Sequence, residues 1–174
     1  MADLAHDLAV AKLDQTDLKI LAILQEDASL PVAEIAAQVN LSQTPCWRRI
    51  QKLEADGVIT RRVVLVNPEK IGVGLTIFVD IQTNDHSREW LSRFAQVTRD
   101  MPEVMDVYRM AGDVDYMLRI AVSSMSDYDD FYRRLISAVP LKNVTSRIAM
   151  ERVKGSTAYP IKLGEGDGSG STKT

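Results

Sequence analysis

The sequence predicts an α+β protein with an N-terminal winged helix-turn-helix and a ferredoxin-like β-α-β-β-α-β domain. Three observations predict this fold class. Two helical patterns flank a polar break between Leu30 and Asp56, a β-branched segment with two cations spans Val58 to Leu65, and strand and helix patterns alternate after Leu75. The predicted regions are an N-terminal extension, the winged helix-turn-helix, a linker, the ferredoxin-like domain and a flexible tail, at residues 1–12, 13–66, 67–74, 75–160 and 161–174.

The first predicted helix begins after Asp14, because a short carboxylate suits the N-cap of a helix. Apolar residues then recur at helical spacing and give the helix a buried side. These residues are Leu18, Ile20, Leu21, Ile23 and Leu24.

The second and third predicted helices form the helix-turn-helix. Pro31 suits an opening helical turn, since its missing N–H would have no partner there. Asn40 can adopt a left-handed conformation, and Ser42 can accept a hydrogen bond from the next helix. We therefore expect a sharp turn between the helices. The residues expected to point inward from the third helix are Trp47, Ile50 and Leu53, with Cys46 and Leu41 as further candidates.

The opposite face of the third helix carries polar and cationic side chains. Arg and Lys neutralise phosphates, whereas short polar groups near the N-terminus of a recognition helix reach base edges in the major groove of DNA. Gly57 can end the helix, and a hairpin with Arg61 and Arg62 near its tip is expected to follow. The candidate DNA-binding residues are Ser42, Gln43, Thr44, Arg48, Arg49, Lys52, Arg61 and Arg62.

The second predicted domain follows a linker that contains Pro and Gly. Its strand patterns cover Leu75–Thr83, Val104–Met110, Tyr116–Val122 and Val144–Val153, and its helical patterns run from Ser87 to Arg99 and from an N-cap at Ser126. This order is typical of an antiparallel sheet with two helices on one face. The other face needs cover, and a second copy of the chain is the preferred cover.

Composition excludes several classes of protein. The net charge of -3 and pI near 5.4 exclude a generally basic nucleic-acid coat, so positive charge must be local. A single cysteine, Cys46, excludes an internal disulfide framework and favours a reducing cytoplasm. We expect its thiol to pack in the core rather than to act as a redox switch with a lowered pKa.

No segment approaches the roughly 20 apolar residues of a membrane span, and no signal peptide is expected. His6 and His86 stand alone, so neither metal nor cofactor is predicted.

Three segments resemble the leucine-responsive regulatory protein and AsnC (Lrp/AsnC) family of prokaryotic transcription regulators, from about Leu13 to Pro160. They are LDQTDLKILAILQEDASL, LSQTPCWRRIQKLEADGVI and MPEVMDVYRMAGDVDYMLRI. The resemblance adds Pro45 to the recognition-helix positions. It implies double-stranded operator DNA and a small amino-acid effector as partners, a homodimer that builds tetramers or octamers, and a cytoplasmic, nucleoid-associated location.

The resemblance also implies an effector site near the loop between the two central strand patterns. The loop residues are Met110, Ala111, Gly112, Asp113, Val114, Asp115 and Tyr116, with Val114 where the family often has an aromatic residue. Gly112 would let the backbone approach a ligand, and Asp113 or Asp115 could receive an α-ammonium group. An ordinary Asp-Gly turn is the alternative. Thr145 and Ser146 on the last strand are further candidates.

A branch of the family associated with cysteine sensing and detoxification resembles this chain in three shorter segments. They are Thr44-Pro45-Cys46-Trp47, Leu75-Thr76 and His86-Ser87-Arg88-Glu89-Trp90. Cysteine is therefore one candidate effector.

Two other function classes fit less of the sequence. An enzyme is not predicted, because the chain has no phosphate-cradling glycine loop, no Gly-x-Ser-x-Gly elbow and no His paired with a nucleophile. An RNA-recognition motif shares the β-α-β-β-α-β order but needs several stacking aromatics, whereas the strand at Tyr116–Val122 has one. The sequence therefore predicts a DNA-binding regulator whose assembly or DNA binding responds to an amino acid.

Overall fold

The computed structural model describes residues 11–163, which form two compact units. The helical unit contains residues 11–64 and 154–163, and the sheet unit contains residues 65–153. Most of the predicted N-terminal extension, 1–12, and most of the predicted tail, 161–174, lie outside the described residues. Within the described residues no helix is long and apolar enough to cross a membrane.

The helical unit is built from α1 (Gln15–Glu26), α2 (Val32–Gln38) and α3 (Gln43–Ala55). Asp14 is the N-cap of α1, as predicted. Its carboxylate accepts a hydrogen bond from the Asp17 N–H at 2.8 Å, and its own N–H donates to the Asp17 carboxylate at 3.2 Å. The three helices enclose one small core, formed by Ile20, Ile35, Ala36, Val39, Cys46, Ile50 and Leu53.

The turn between α2 and α3 has the predicted left-handed residue. Asn40 has a φ of 56°, and the following Leu41 N–H donates to the Ala36 carbonyl oxygen at 2.9 Å. Pro31 and Ser42 occupy the N-cap positions of α2 and α3, but the Ser42 side chain accepts no capping hydrogen bond. The sharp turn is therefore confirmed without the predicted side-chain cap.

The predicted hairpin after α3 is wrong. Gly57 ends the helix with a φ of 71°, as predicted, but residues 60–67 form neither helix nor strand. A hairpin needs a returning strand to satisfy its backbone, and the chain instead enters a turn at Asn67-Pro68, where the Val73 N–H donates to the Pro68 oxygen at 2.9 Å. The β-branched side chains of Val63 and Val64 are therefore exposed.

The sheet unit has the predicted β-α-β-β-α-β order. Its elements are β1 (Leu75–Gln82), α4 (Arg88–Asp100), β2 (Val104–Arg109), β3 (Tyr116–Val122), α5 (Met125–Ala138) and β4 (Asn143–Ile148). The strands form one antiparallel sheet in the order β2-β3-β1-β4. β1 is therefore central and contacts both β3 and β4.

Two element boundaries differ from the prediction. The N-cap of α5 is Ser124 rather than Ser126, because the Ser124 hydroxyl accepts the Asp127 N–H at 3.2 Å. β4 ends at Ile148 rather than Val153: Ile148 is its last residue paired with β1, opposite Ile77, and the next N–H, that of Ala149, donates to the Thr76 oxygen at 2.9 Å. Residues 150–153 of the predicted strand therefore lie outside the sheet.

One face of the sheet packs against α4 and α5. The Trp90 ring stacks on Phe94 with centroids 4.9 Å apart, and its indole N–H donates to the Pro140 oxygen at 2.9 Å. The core of this unit is Ile77, Val79, Ile81, Trp90, Phe94, Met101, Tyr116, Leu118, Ile120, Val122, Tyr128, Phe131, Leu135 and Val139. Burial of these apolar side chains is the main term that stabilises the unit.

The other face of the sheet is more polar. Asp80 on β1 is buried and pairs with Arg147 on β4 at 2.5 Å, and Arg119 pairs with Asp106 at 2.6 Å. Phe78, between these pairs in β1, is half-buried. On this face of β1 the apolar side chain of Phe78 therefore lies among charged groups.

Residues 154–163 belong to the helical unit, although the predicted ferredoxin-like domain extended to residue 160. The Gln25 side chain on α1 holds this segment through both of its polar atoms. Its amide nitrogen donates to the Tyr159 oxygen at 3.3 Å, and its amide oxygen accepts the Tyr159 N–H at 2.7 Å. Beyond Val153 the chain is therefore anchored on α1.

Truncation of a core side chain on α5 tests the packing of the sheet unit. Phe131 is fully buried, so we expect Phe131→Ala to lower the free energy of unfolding by about 3–5 kcal/mol. Ile136 on the same helix is 43% exposed, and Ile136→Ala should lower the free energy of unfolding by less than about 1 kcal/mol. Urea unfolding at one fixed protein concentration measures both. Equal losses would contradict the described packing.

Candidate nucleic-acid interface and effector site

α3 exposes the face opposite its buried stripe. Cys46, Ile50 and Leu53 are buried on one side of the helix. Each residue advances roughly 100° around an α-helix, so the opposite side carries a set of exposed polar and cationic side chains. This set, the outer face of α3, consists of Thr44, Arg48, Gln51 and Lys52.

The N-terminus of α3 is open to an anion. Ser42, Gln43, Thr44 and Pro45 are exposed, and the first turn of the helix contains no acidic residue. The first N–H groups of a helix have no intrahelical partner and carry partial positive charge. This end of α3 can therefore receive a phosphate oxygen or place short side chains against base edges.

Arg49 does not lie on the outer face, so the prediction that it does is wrong. Its guanidinium donates to the carboxylates of Asp14 and Asp17 at 2.6 and 2.7 Å, and its side chain is 34% exposed. The hydrogen bonds that the guanidinium donates to Asp17 and Asp14 raise the pKa of Arg49. The Asp17 N–H and, less strongly, the Arg49 guanidinium lower the pKa of the Asp14 carboxyl. Arg49 therefore joins α3 to the capped end of α1.

The other predicted cations differ in their partners. Lys52 pairs with Asp56 one turn along, and Arg62 pairs with Glu54 at 3.0 Å. Exposed pairs of this kind contribute little to stability, so a phosphate can replace the carboxylate. Arg48 and Arg61 are exposed and form no ion pair within residues 11–163. Arg48 is therefore the cation of the outer face that is most available to a ligand.

Sequence reasoning misplaced Trp47 and omitted Gln51. The Trp47 side chain was expected inside but is 51% exposed, and Gln51 on the outer face was not among the candidates. Cys46, Ile50 and Leu53 have helical spacing, and Trp47 follows Cys46 by one residue, roughly 100° around the helix. Trp47, Ile50 and Leu53 are also spaced by three residues, so the burial of Cys46, which the sequence pattern does not decide, is what places Trp47 outside.

Cys46 packs in the core of the helical unit. It is fully buried, and burial raises the pKa of its thiol despite the nearby Arg49 charge. The hypothesis of a redox thiol with a lowered pKa is therefore contradicted.

The predicted effector loop, between β2 and β3, is held from β1. The Asp115 N–H donates to the Ile81 oxygen at 3.0 Å, and the Gln82 side-chain amide donates to the Asp113 oxygen at 2.5 Å. Gly112 has a φ of 120°, a conformation that L side chains rarely adopt. The tip of the loop, formed by Met110, Ala111, Gly112 and Asp113, is exposed.

The two loop carboxylates have different surroundings. One Asp115 oxygen accepts the Thr83 N–H at 2.8 Å, and the other lies 3.9 Å from His86 Nε2. Asp113 is exposed, and its carboxylate has no hydrogen-bond or ion-pair partner among the described residues. Asp115 is therefore used to hold the loop, whereas Asp113 is available to a ligand.

The remaining effector candidates do not converge on the loop tip. Tyr116 is buried, with its ring centroid 4.8 Å from that of Phe94, and Val114 is half-buried. Thr145 and Ser146 are neighbours in β4, so their side chains point to opposite faces of the sheet. The Ser146 hydroxyl bonds to that of Tyr128 on α5. Tyr116 and Ser146 therefore have structural partners within the sheet unit.

One surface depression lies outside the predicted effector loop. A shallow depression of about 620 Å³ lies over the outer side of α4 and is lined by Arg88, Glu89, Ser92, Arg93, Gln96 and Val97, away from the predicted loop. Among residues 11–163, no group of three or more His, Cys, Asp or Glu side chains could hold a metal ion.

Residues 13–60 match a family described as winged helix-turn-helix DNA-binding, and residues 76–159 match the Lrp/AsnC ligand binding domain. The DNA-binding transcriptional activator DecR of Escherichia coli K12 is 50% identical over 86% of this chain and 99% of its own length. The chain belongs to the Lrp/AsnC family. It is a DNA-binding transcriptional regulator with an N-terminal winged helix-turn-helix.

Other Lrp/AsnC relatives agree in both sequence and structure. The glutamate uptake regulatory protein of Zymomonas mobilis is 48% identical over 87% of this chain and 93% of its own length. An AsnC family regulator from Agrobacterium tumefaciens is 53% identical with a TM-score of 0.82, covering 85% of this chain and 97% of its own. A Neisseria meningitidis regulator in complex with L-Met is 31% identical with a TM-score of 0.81, covering 85% and 96%. These relatives are transcriptional regulators rather than enzymes.

Paired substitutions at Arg48 and Arg49 test the separation of their roles. Arg49→Gln removes both ion pairs to α1, so we expect the free energy of unfolding to fall by about 1 kcal/mol. Arg48→Gln should leave it unchanged within about 0.5 kcal/mol. Urea unfolding followed by circular dichroism measures the difference. A larger loss at Arg48 would show that the two side chains have been assigned the wrong roles.

Proposed function

We propose that this regulator reads operator DNA with the outer face of α3 and that an amino acid bound at the β2–β3 loop changes its DNA binding or its assembly. One observation carries the DNA-binding part. The buried stripe and Arg49 hold α3 within the helical unit. The side chains of Thr44 and Arg48, in contrast, are exposed and form no ion pair within the described residues. A helix held in this way can enter a major groove without losing its own packing.

The proposed contacts divide by chemistry. Ser42, Gln43, Thr44 and Pro45 stand at the end of α3 that approaches base edges, as the N-terminal residues of a recognition helix do. The cations proposed to contact phosphates are Arg48, Lys52, Arg61 and Arg62. Arg49 is proposed to act indirectly, because it fixes the position of α3 through α1.

A homodimer is proposed as the smallest functional assembly. Two recognition helices on one face of DNA read half-sites about one helical turn apart, which a single copy cannot do. The exposed apolar side chains from Val63 to Val66 and on β2, at Met105 and Tyr108, give a second copy apolar surface to cover. Tetramers or octamers and a cytoplasmic, nucleoid-associated location are further parts of the proposal. Sedimentation velocity would measure assembly size with and without effector.

The proposed effector is a small amino acid. The exposed carboxylate of Asp113 can receive its α-ammonium group, and the backbone at Gly112 is open to a close approach. Asp115 is a positioning residue, because its carboxylate caps the Thr83 N–H. Relatives are named for glutamate uptake and for a complex with L-Met, and segments such as 44–47 resemble a cysteine-responsive branch. Glutamate, methionine and cysteine are therefore the candidates to test.

Removal of the available cation on α3 tests the DNA-binding face. A phosphate contact releases counterions, so Arg48→Ala should weaken duplex binding about tenfold and reduce the slope of log K against log salt by about 0.9. Fluorescence anisotropy measures both values, with a duplex selected from a random library by the unmodified chain. Arg93→Ala, at an exposed arginine of α4, is the matched control and should bind normally. Undiminished binding by Arg48→Ala, with an unchanged slope, would refute the proposed face.

Isothermal titration calorimetry tests the effector site. We expect at least one of L-cysteine, L-glutamate and L-methionine to bind, and Asp113→Asn to weaken that binding about tenfold, because the variant loses the charge that pairs with the ammonium group. Asp130→Asn, at an exposed carboxylate on α5, should bind as the unmodified chain does. Equal affinity of the Asp113 variant would exclude this carboxylate, and absence of heat with all three amino acids would exclude these effectors.

A further inference from the structure

Trp47 on α3 forms no aromatic pair and no side-chain hydrogen bond within the described residues. Its side chain is 51% exposed, and its ring takes part in no aromatic pair. Trp90, the other tryptophan of the chain, is 4% exposed, stacks on Phe94 and donates its N–H to Pro140. A tryptophan is among the largest apolar side chains, and its exposure removes favourable burial. The position of Trp47 is therefore better explained by contact with another molecule.

The neighbours of Trp47 identify the surface it belongs to. Gln43 and Gln51 lie one turn before and one turn after it on α3, and both are exposed. Glu54, two turns along the same flank, pairs with Arg62 at 3.0 Å, so the guanidinium of Arg62 lies on that flank. Trp47 therefore lies between the open N-terminus of α3 and the cation of Arg62.

We infer that Trp47 packs its indole ring against apolar atoms of the duplex when α3 enters the major groove. Thymine methyl groups and deoxyribose rings are the apolar groups that DNA presents along the groove wall. The uncharged glutamines beside Trp47 suit a surface that faces bases and sugars, while the flanking cations supply the phosphate contacts. The inference rests on the proposed function of α3 and adds a residue that sets affinity by apolar contact.

Apolar contact has a different salt signature from a phosphate contact. Burial of an indole ring releases no condensed counterions, so Trp47→Ala should weaken duplex binding about tenfold at every salt concentration. Its slope of log K against log salt should equal that of the unmodified chain. Trp47→Phe keeps an aromatic ring and should retain most of the affinity. Because the residue is exposed, both variants should unfold at the same urea concentration as the unmodified chain.

Tryptophan fluorescence separates DNA from a second copy of the chain as the molecule that covers Trp47. The difference between the emission of the unmodified chain and that of Trp47→Phe isolates Trp47 from the buried Trp90. In the absence of DNA this emission should be red-shifted and quenched by acrylamide. The selected duplex should protect it. Protection that is already complete without DNA would assign Trp47 to a protein interface and overturn the inference.

The anisotropy experiment completes the test. Parallel loss by Trp47→Ala at low and high salt, with an unchanged slope, supports the inference; binding equal to that of the unmodified chain overturns it. If Arg48→Ala and Trp47→Ala both bind the duplex normally, the proposed function of α3 fails as well. If only Arg48→Ala binds more weakly, the proposed function stands and only the inference about Trp47 fails. A duplex in which deoxyuridine replaces thymidine distinguishes the two apolar sources. If this duplex binds the unmodified chain more weakly but binds Trp47→Ala as the thymidine duplex does, the contact is to thymine methyl groups. If the unmodified chain binds both duplexes equally, the contact is to deoxyribose.

Discussion

The phase of α3 is the constraint on which the DNA-binding surface depends. Burial of Cys46, Ile50 and Leu53 fixes the rotation of the helix, and the bonds from Arg49 to α1 fix its position at the other flank. Because the buried side chains and Arg49 fix the rotation and position of α3, they also fix the direction in which each of its other side chains points. The outer face follows from core packing rather than from any preference of its own residues.

Short-range signals made much of the fold predictable. The N-cap at Asp14, the left-handed Asn40 and the helix end at Gly57 each depend on a few neighbouring residues, and each lies where the sequence placed it. The β-α-β-β-α-β order was predictable from apolar periodicity. The predictions of a hairpin after α3 and of a longer β4 were wrong. A strand needs a partner strand, and its own sequence cannot show where one is present.

Side-chain roles were less predictable than side-chain positions. Arg49 and Arg48 are adjacent and chemically identical in the sequence, and only the location of α1 turns one into a structural residue. The same holds for Asp115, whose carboxylate caps Thr83 across the sheet. The predicted inward position of Trp47 is wrong, because the burial of Cys46 sets the rotation of α3 and leaves the Trp47 side chain exposed. Contacts between distant parts of the chain therefore decide which candidate groups remain free for a ligand.

Photo-crosslinking to duplex DNA tests most directly the claim that the outer face of α3 meets DNA. A photoreactive amino acid is placed singly at Thr44, Gln51, Lys19 on α1 and Arg133 on α5, all exposed positions, and each variant is irradiated with the selected duplex. The account predicts efficient crosslinks from the two positions on α3 and background yields from the other two. Efficient crosslinks from α1 or α5, with none from α3, would contradict it.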